Sequence, residues 1–174
     1  MSGYLDNEVK TAEALRQHPE DLEASGVGGV RDGYQLRHWL HTGDQGFLDP
    51  DGYLCIAGRI KDIVIRGGEN IFPMEIEARL LEHDAISQAS IVGVPDQKYG
   101  EELCAFVELN TVHTKPSDEE LRSFVRQNLA RFKAPRYVLW IGDDTAVLRE
   151  WPKTASGKIS KPMLRDIAKQ RHVS

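Results

Sequence analysis

The sequence predicts an α+β fold: a two-layer α/β arrangement of a small mixed three-stranded sheet with packed helices and an N-terminal β-hairpin, preceded by a partial β segment. Three observations carry this reading. Ser117-Asp118-Glu119-Glu120 has the form of a capping box, and Leu121, Phe124, Val125 and Leu129 follow it at helical spacing. Two apolar runs, Ala89-Ser90-Ile91-Val92-Gly93-Val94 and Leu103-Cys104-Ala105-Phe106-Val107-Glu108-Leu109, flank a loop containing Pro95-Asp96 and Tyr99-Gly100 and read as two strands. Helical patterns interleave with these strands, which is the arrangement of a sheet covered by helices.

Taken in order, the elements sharpen along the chain. Asn7 to His18 has the spacing of one helical stretch, whereas Ser25-Gly26-Val27-Gly28-Gly29-Val30 carries glycine too densely for an element interior. Phe47-Leu48-Asp49-Pro50-Asp51-Gly52-Tyr53-Leu54-Cys55-Ile56 reads as two short strands around a turn, with Pro50 presetting φ and Gly52 able to take φ > 0. A lone hairpin cannot bury a core, so residues 1–58 read as a section of something larger.

Ile63-Val64-Ile65 then forms a strand that stops at Gly67-Gly68, where the backbone must turn tightly or lie close to another group. Pro73 opens a helix over residues 73–82. Strand, glycine turn and helix start, with Arg and Lys ahead of them, is one way to bring N–H groups and positive charge to a phosphorylated ligand; a surface hairpin fits the same residues. Further on, the capped helix covers residues 117–130, Lys133-Ala134-Pro135 stops it, and Tyr137-Val138-Leu139-Trp140 is a third strand. Ser160 caps a last helix that turns Leu164, Ile167 and Ala168 inward. Residues 59–174 therefore form one domain, at roughly 115 residues large enough for its own core.

Composition narrows the function classes. At 40% hydrophobic and 28% charged residues the chain is globular, and a net charge of −5 gives no reason to expect nucleic acid or an anionic membrane as partner. The sign is uneven, since Lys153, Lys158, Lys161, Arg165, Lys169 and Arg171 face only Asp166 near the C-terminus. Cys55 and Cys104 each sit in an apolar run and read as small buried hydrophobes in a reducing compartment. No signal segment opens the chain and no apolar run approaches membrane-spanning length, so a cytoplasmic protein with no transmembrane segment is expected. The six histidines show no metal-ligand spacing and no Ser-His-Asp set is visible.

Six motifs in order give the chain a family resemblance: Trp39-Leu40-His41-Thr42-Gly43-Asp44, Gly58-Arg59-Ile60-Lys61-Asp62, Gly67-Gly68-Glu69-Asn70-Ile71 with Pro73 and Glu75-Ile76-Glu77, Val92-Gly93-Val94-Pro95-Asp96 with Gly100-Glu101, Phe132-Lys133-Ala134-Pro135-Arg136, and Pro152-Lys153-Thr154-Ala155-Ser156-Gly157-Lys158-Ile159. From Gly3-Tyr4 to about Arg165 the chain resembles the carboxy-terminal part of adenylate-forming (AMP-binding) enzymes, and within them the AMP-forming acyl-CoA synthetases of the fatty-acid- or aryl-CoA ligase kind. The resemblance implies activation of a carboxylic acid, of fatty-acid type, with ATP to acyl-AMP, then transfer to coenzyme A. It also implies that residues 1–58 are the end of the large AMP-binding domain and residues 59–174 its mobile lid.

Residue roles follow from the same resemblance. Asp44 would accept hydrogen bonds from the ribose hydroxyls, as an ionised carboxylate does well, although Thr42-Gly43-Asp44 read alone is also a plain turn. Arg59 would contact the same nucleotide; otherwise it is a surface ion-pairing residue. Lys61 takes the hinge position, where an element-terminal residue absorbs the dihedral change of lid rotation. Gly67 and Gly68 would line the pantetheine channel, and Phe132 and Arg136 would stack on and neutralise the coenzyme A nucleotide, unless Phe132 only ends the preceding helix in an apolar contact. Lys158 would be the catalytic residue, its ammonium meeting the substrate carboxylate and α-phosphate as charge builds between them.

The phosphate loop, the magnesium ligand and the acyl and adenine pockets of such enzymes match nothing here, so Mg2+ is expected in the full-length enzyme with its ligands outside this chain, and the isolated chain is expected to be inactive. The expected partners are the large amino-terminal domain, ATP or AMP, coenzyme A and a carboxylic acid. Two alternatives remain at this point: a non-catalytic interaction module of the same fold, and the lid of a carrier-protein adenylation domain.

Overall fold

Alternating inward and outward side chains along two long strands set up the core. In the computed structural model, which describes residues 7–17, 38–142 and 148–172, these strands are β7 (Ile86–Asp96) and β8 (Gly100–Leu109). They pair antiparallel from Ile86↔Leu109 to Asp96↔Gly100, with a bulge between Ile86 and Gln88. Because successive residues on a strand face opposite ways, Leu103, Ala105 and Val107 enter one apolar cluster while Cys104 and Phe106 enter another on the opposite face.

The first face is covered by α2 (Pro73–Leu81) and α3 (Asp118–Asn128). Pro73 at the first helical position begins α2, whose missing N–H costs nothing there, and Ile76 and Leu80 lie one turn apart in the core. In α3 the Ser117 hydroxyl accepts from the Glu120 N–H while the Glu120 carboxylate accepts from the Ser117 N–H, and Leu121 and Val125 are buried. α3 is also the crossover that lets β9 (Tyr137–Ile141) lie parallel to β8, from Cys104↔Tyr137 to Glu108↔Ile141. The second face receives α4 (Lys161–His172), through Leu164 and Ala168 against Val92, Phe106 and Ile141.

The α+β class holds, with two additions. Helices lie on both faces of the sheet, so α4 supplies a further layer. The sheet also has five strands: β5 (Val64–Arg66) and β6 (Glu69–Ile71) form a hairpin that joins β8 through the single pair Arg66↔Gly100. Gly67 and Gly68 are its two-residue loop, both with φ > 0 (59° and 89°), the backbone that a tight primed hairpin turn demands. The glycines thus lead into another strand before the helix begins.

Earlier in the chain, β3 (Asp44–Leu48) and β4 (Leu54–Arg59) form the expected hairpin. Asp49 organises its turn: the carboxylate accepts from the Asp51 and Tyr53 N–H groups at 3.0 and 2.8 Å, and Gly52 takes φ 86°. The chain divides into two units, Met1–Asp44 and Gln45–Ser174, each described by itself. In the first, α1 (Glu8–Ala14) is capped by the Asn7 side chain and gives way to β1 (Leu15–Gln17), which pairs antiparallel with β2 (His38–Leu40). The helix expected from Asn7 to His18 therefore ends at Ala14, where pairing with residues 38–40 overrides local helical preference. His18 and the glycine-dense stretch 25–30 lie outside the described residues.

Candidate functional site

Two separate surfaces of the second unit carry the residues singled out by the sequence. The first is a turn between the bridge partners Lys153 and Ile159. Thr154 closes it: its N–H donates to the Lys158 carbonyl at 2.8 Å, its carbonyl accepts from the Gly157 N–H at 2.9 Å, and its hydroxyl meets Ser156 Oγ at 2.9 Å. Below the turn, the Trp151 indole N–H donates to Glu108 on β8 at 2.8 Å, and the Ser160 N–H donates to the Pro152 carbonyl. Lys158 stands exposed on this ordered turn, and its ammonium has no ion pair among the described residues. A cation presented on a fixed backbone without a local counter-charge can meet an anion from outside.

The second surface is an open groove of about 770 Å³ lined by Arg66, Tyr99, Glu102, Glu119, Arg122, Arg126, Arg131, Phe132, Ala134, Pro135 and Arg136. Phe132 and Arg136 thus line the same groove, together with Ala134. Phe132 belongs to a short 3-10 turn (Arg131–Lys133) and is 37% exposed. It is the exposed face, not a buried helix end, that a ring needs for stacking. The loop is held from α3, where Arg122 donates to the Pro135 and Arg136 carbonyls at 3.1 and 2.8 Å, and from α2, where Glu75 pairs with Lys133 at 2.7 Å.

Charges in and beside the groove are organised by hydrogen bonds. The Asp96 carboxyl is held below its ordinary value chiefly by the Tyr99 N–H, helped by the Lys98 N–H and by Arg136, whose Nη1 lies 3.4 Å away. Glu119 is likewise held low, first by its hydrogen bond from Arg126 and then by Arg122. Arg131 has no such partner among the described residues and adds uncompensated positive charge to the rim.

Other predicted residues lie elsewhere. Arg59 ends β4, and Lys61 follows in the 3-10 turn Ile60–Asp62. Arg165 of α4 reaches that turn, donating to the Lys61 carbonyl at 3.3 Å and to Asp62 Oδ1 at 2.7 Å. Asp44 belongs to the first unit; its N–H donates to Thr42 Oγ1 at 3.1 Å, beside Gly43 at φ 76°. Sequence reasoning missed Arg66, Tyr99, Glu102, Arg122, Arg126 and Arg131 as groove residues. Glu102 lies just ahead of the apolar run at residues 103–109 and gave no signal of its own, and the α3 arginines were legible only as an arginine repeat on the solvent face of a helix.

Residues 75–158 match the AMP-binding enzyme C-terminal domain, and this part of the chain belongs to that family. The chain is similar to the acyl-CoA ligase sidI of Aspergillus fumigatus, 49% identical over 167 residues, which cover 95% of this chain and 26% of the relative. Among solved structures it is similar to the amide bond synthetase McbA of Marinactinospora thermotolerans, with 33% identity and a TM-score of 0.74 over 97% of this chain and 28% of that one. The o-succinylbenzoate CoA synthetase MenE of Bacillus subtilis, solved with its acyl-adenylate intermediate, gives 32% identity and a TM-score of 0.68 over 95% of this chain and 28% of that one. The chain thus spans about a quarter of the length of the curated relative. Among the described residues no helix is long and apolar enough to cross a membrane, and no group of three or more His, Cys, Asp or Glu side chains could hold a metal ion.

Proposed function

We propose that this chain is the lid-bearing part of an AMP-forming acyl-CoA ligase, with its domain boundary at residues 58/59. In the first half-reaction a carboxylate oxygen attacks the α-phosphorus of ATP and pyrophosphate leaves. In the second, the thiolate of coenzyme A attacks the acyl carbon and AMP leaves. Lys158 serves the first step: its ammonium stabilises negative charge between the carboxylate and the α-phosphate more in the transition state than before it. Asp44 and Arg59 hold the nucleotide, and Mg2+ would be held by residues outside this chain.

Gly67, Gly68, Phe132 and Arg136 serve the second step. The single observation that carries this reading is the arginine-lined groove beside an exposed Phe132, on a surface distinct from the Lys158 turn. An aromatic face for the adenine and guanidiniums for the phosphates suit free coenzyme A better than a tethered carrier arm. Lys61 is the hinge that would let the two surfaces be presented in turn.

The acid is of fatty-acid type and the setting cytoplasmic. Phe47, Leu48, Tyr53 and Leu54 on the first hairpin of the second unit are all more than half exposed, which supports burial against a large partner domain. The isolated chain is accordingly inactive. Mixing it with a separately produced large adenylation domain, ATP, coenzyme A and a medium-chain fatty acid tests the proposal: acyl-CoA forms only in the mixture. Turnover by the chain alone, or acyl-AMP without acyl-CoA in the mixture, contradicts it.

A further inference from the structure

The hairpin carrying Gly67 and Gly68 meets the sheet through one backbone register pair, Arg66↔Gly100, so its position depends on what else pins it. Four contacts do so. The Gly67 N–H donates to the Tyr99 carbonyl at 2.8 Å, and the Ile65 N–H donates to Glu101 Oε2 at 2.7 Å. The Arg66 guanidinium lies 4.2 Å from the Tyr99 ring centre, and its fork donates to both Glu102 oxygens, Nε at 2.6 Å and Nη2 at 3.0 Å. Glu102 is 1% exposed and accepts a further bond from the Leu103 N–H at 3.0 Å.

A buried charge pair is a poor way to gain stability, since apolar side chains of similar volume often do as well. What a two-pronged Arg–carboxylate contact adds is direction, because both guanidinium N–H vectors are fixed at once. Here the direction matters, for Arg66 immediately precedes the glycine turn while Arg66, Tyr99 and Glu102 all line the groove that holds Phe132 and Arg136.

We propose that Glu102 is a positioning residue for thioester formation: through Arg66 it fixes the Gly67-Gly68 turn against the rim of the arginine-lined groove. The inference rests on the reading of that groove as the coenzyme A site. Loss of the carboxylate frees the Arg66 fork and lets the turn shift, which misplaces the thiol arm without touching the Lys158 surface.

The test uses Glu102→Gln in the complete ligase carrying this chain, with ATP–pyrophosphate exchange and thioester formation measured side by side. The KM for coenzyme A rises about 10-fold or more, the scale of a small misplacement of a reacting group, while exchange stays within about twofold. Where that variant does not fold, the double variant Arg66→Met with Glu102→Leu leaves no unpaired buried charge and is read in the same way. A wild-type enzyme that saturates with coenzyme A beside a folded variant of unchanged KM overturns the role of Glu102 alone. A wild-type enzyme that forms acyl-AMP but shows no dependence on coenzyme A overturns the groove reading as well.

Discussion

Gly68 isolates the question of what the glycine turn is for. A Cβ at Gly67 would lie 3.3 Å from Tyr99 Cδ1, whereas one at Gly68 would meet nothing within 4 Å. Both positions have positive φ, so alanine at either strains the backbone by roughly 1 kcal/mol. Gly68→Ala therefore leaves the fold in place and adds only a methyl group facing open space. Thermal unfolding of this variant shows a small loss of stability, adenylate formation persists, and thioester formation falls. Unchanged thioester formation would remove Gly68 from the channel wall. At this scale the sequence made the glycines, Phe132, Arg136 and Lys158 legible because each sits in a motif. Glu102 was hidden because nothing in Gly100-Glu101-Glu102-Leu103 says which carboxylate points into the fold; the register of β8 against β7 and β5 decides that.

Among the elements, α3 was the most legible, since its capping box and apolar spacing are local signals and both halves of the box are formed. Ser117→Ala is expected to cost about 1 kcal/mol, read as a lower midpoint in chemical denaturation. The same helix start sets an acid limb. The Glu120 carboxyl is held below its ordinary 4.5, chiefly by the Ser117 N–H, and Glu119 is held below the same value by Arg126 and Arg122. As pH falls past 4.5 the unfolded chain takes up these protons first, so the stability they contribute is present above that pH and is lost as pH falls through the lower native values. Glu120→Gln makes the decline below pH 4.5 shallower; an unchanged slope would contradict the assignment. The β5–β6 hairpin was not legible as two strands. Its three-residue runs are too short for a period-2 pattern, and β6 leads almost directly into α2, so the glycines looked like the end of a strand before a helix.

For the molecule as a whole, the α+β class was readable from alternating helical and strand patterns, but the placement of α4 on the far side of the sheet was not. Leu164 and Ala168 mark an inward face without saying which cluster receives it, and only the alternation of Cys104 and Phe106 in β8 makes a second apolar face to cover. That placement has a consequence for function. It sets α4 and the preceding Lys158 turn apart from the groove bounded by α3 and the Arg131–Lys133 turn, and Arg165 ties α4 to the Lys61 segment. The second unit so offers two chemically different surfaces.

The central claim is that these surfaces serve successive half-reactions, and one paired measurement on the complete ligase tests it. Lys158→Ala and Arg136→Ala are compared in ATP–pyrophosphate exchange and in thioester formation from supplied acyl-AMP. Lys158→Ala lowers exchange by about 10² or more, the scale of losing one preorganised charge contact, and retains thioester formation. Arg136→Ala retains exchange and raises the KM for coenzyme A. Equal loss of both activities in either variant would contradict the division of labour.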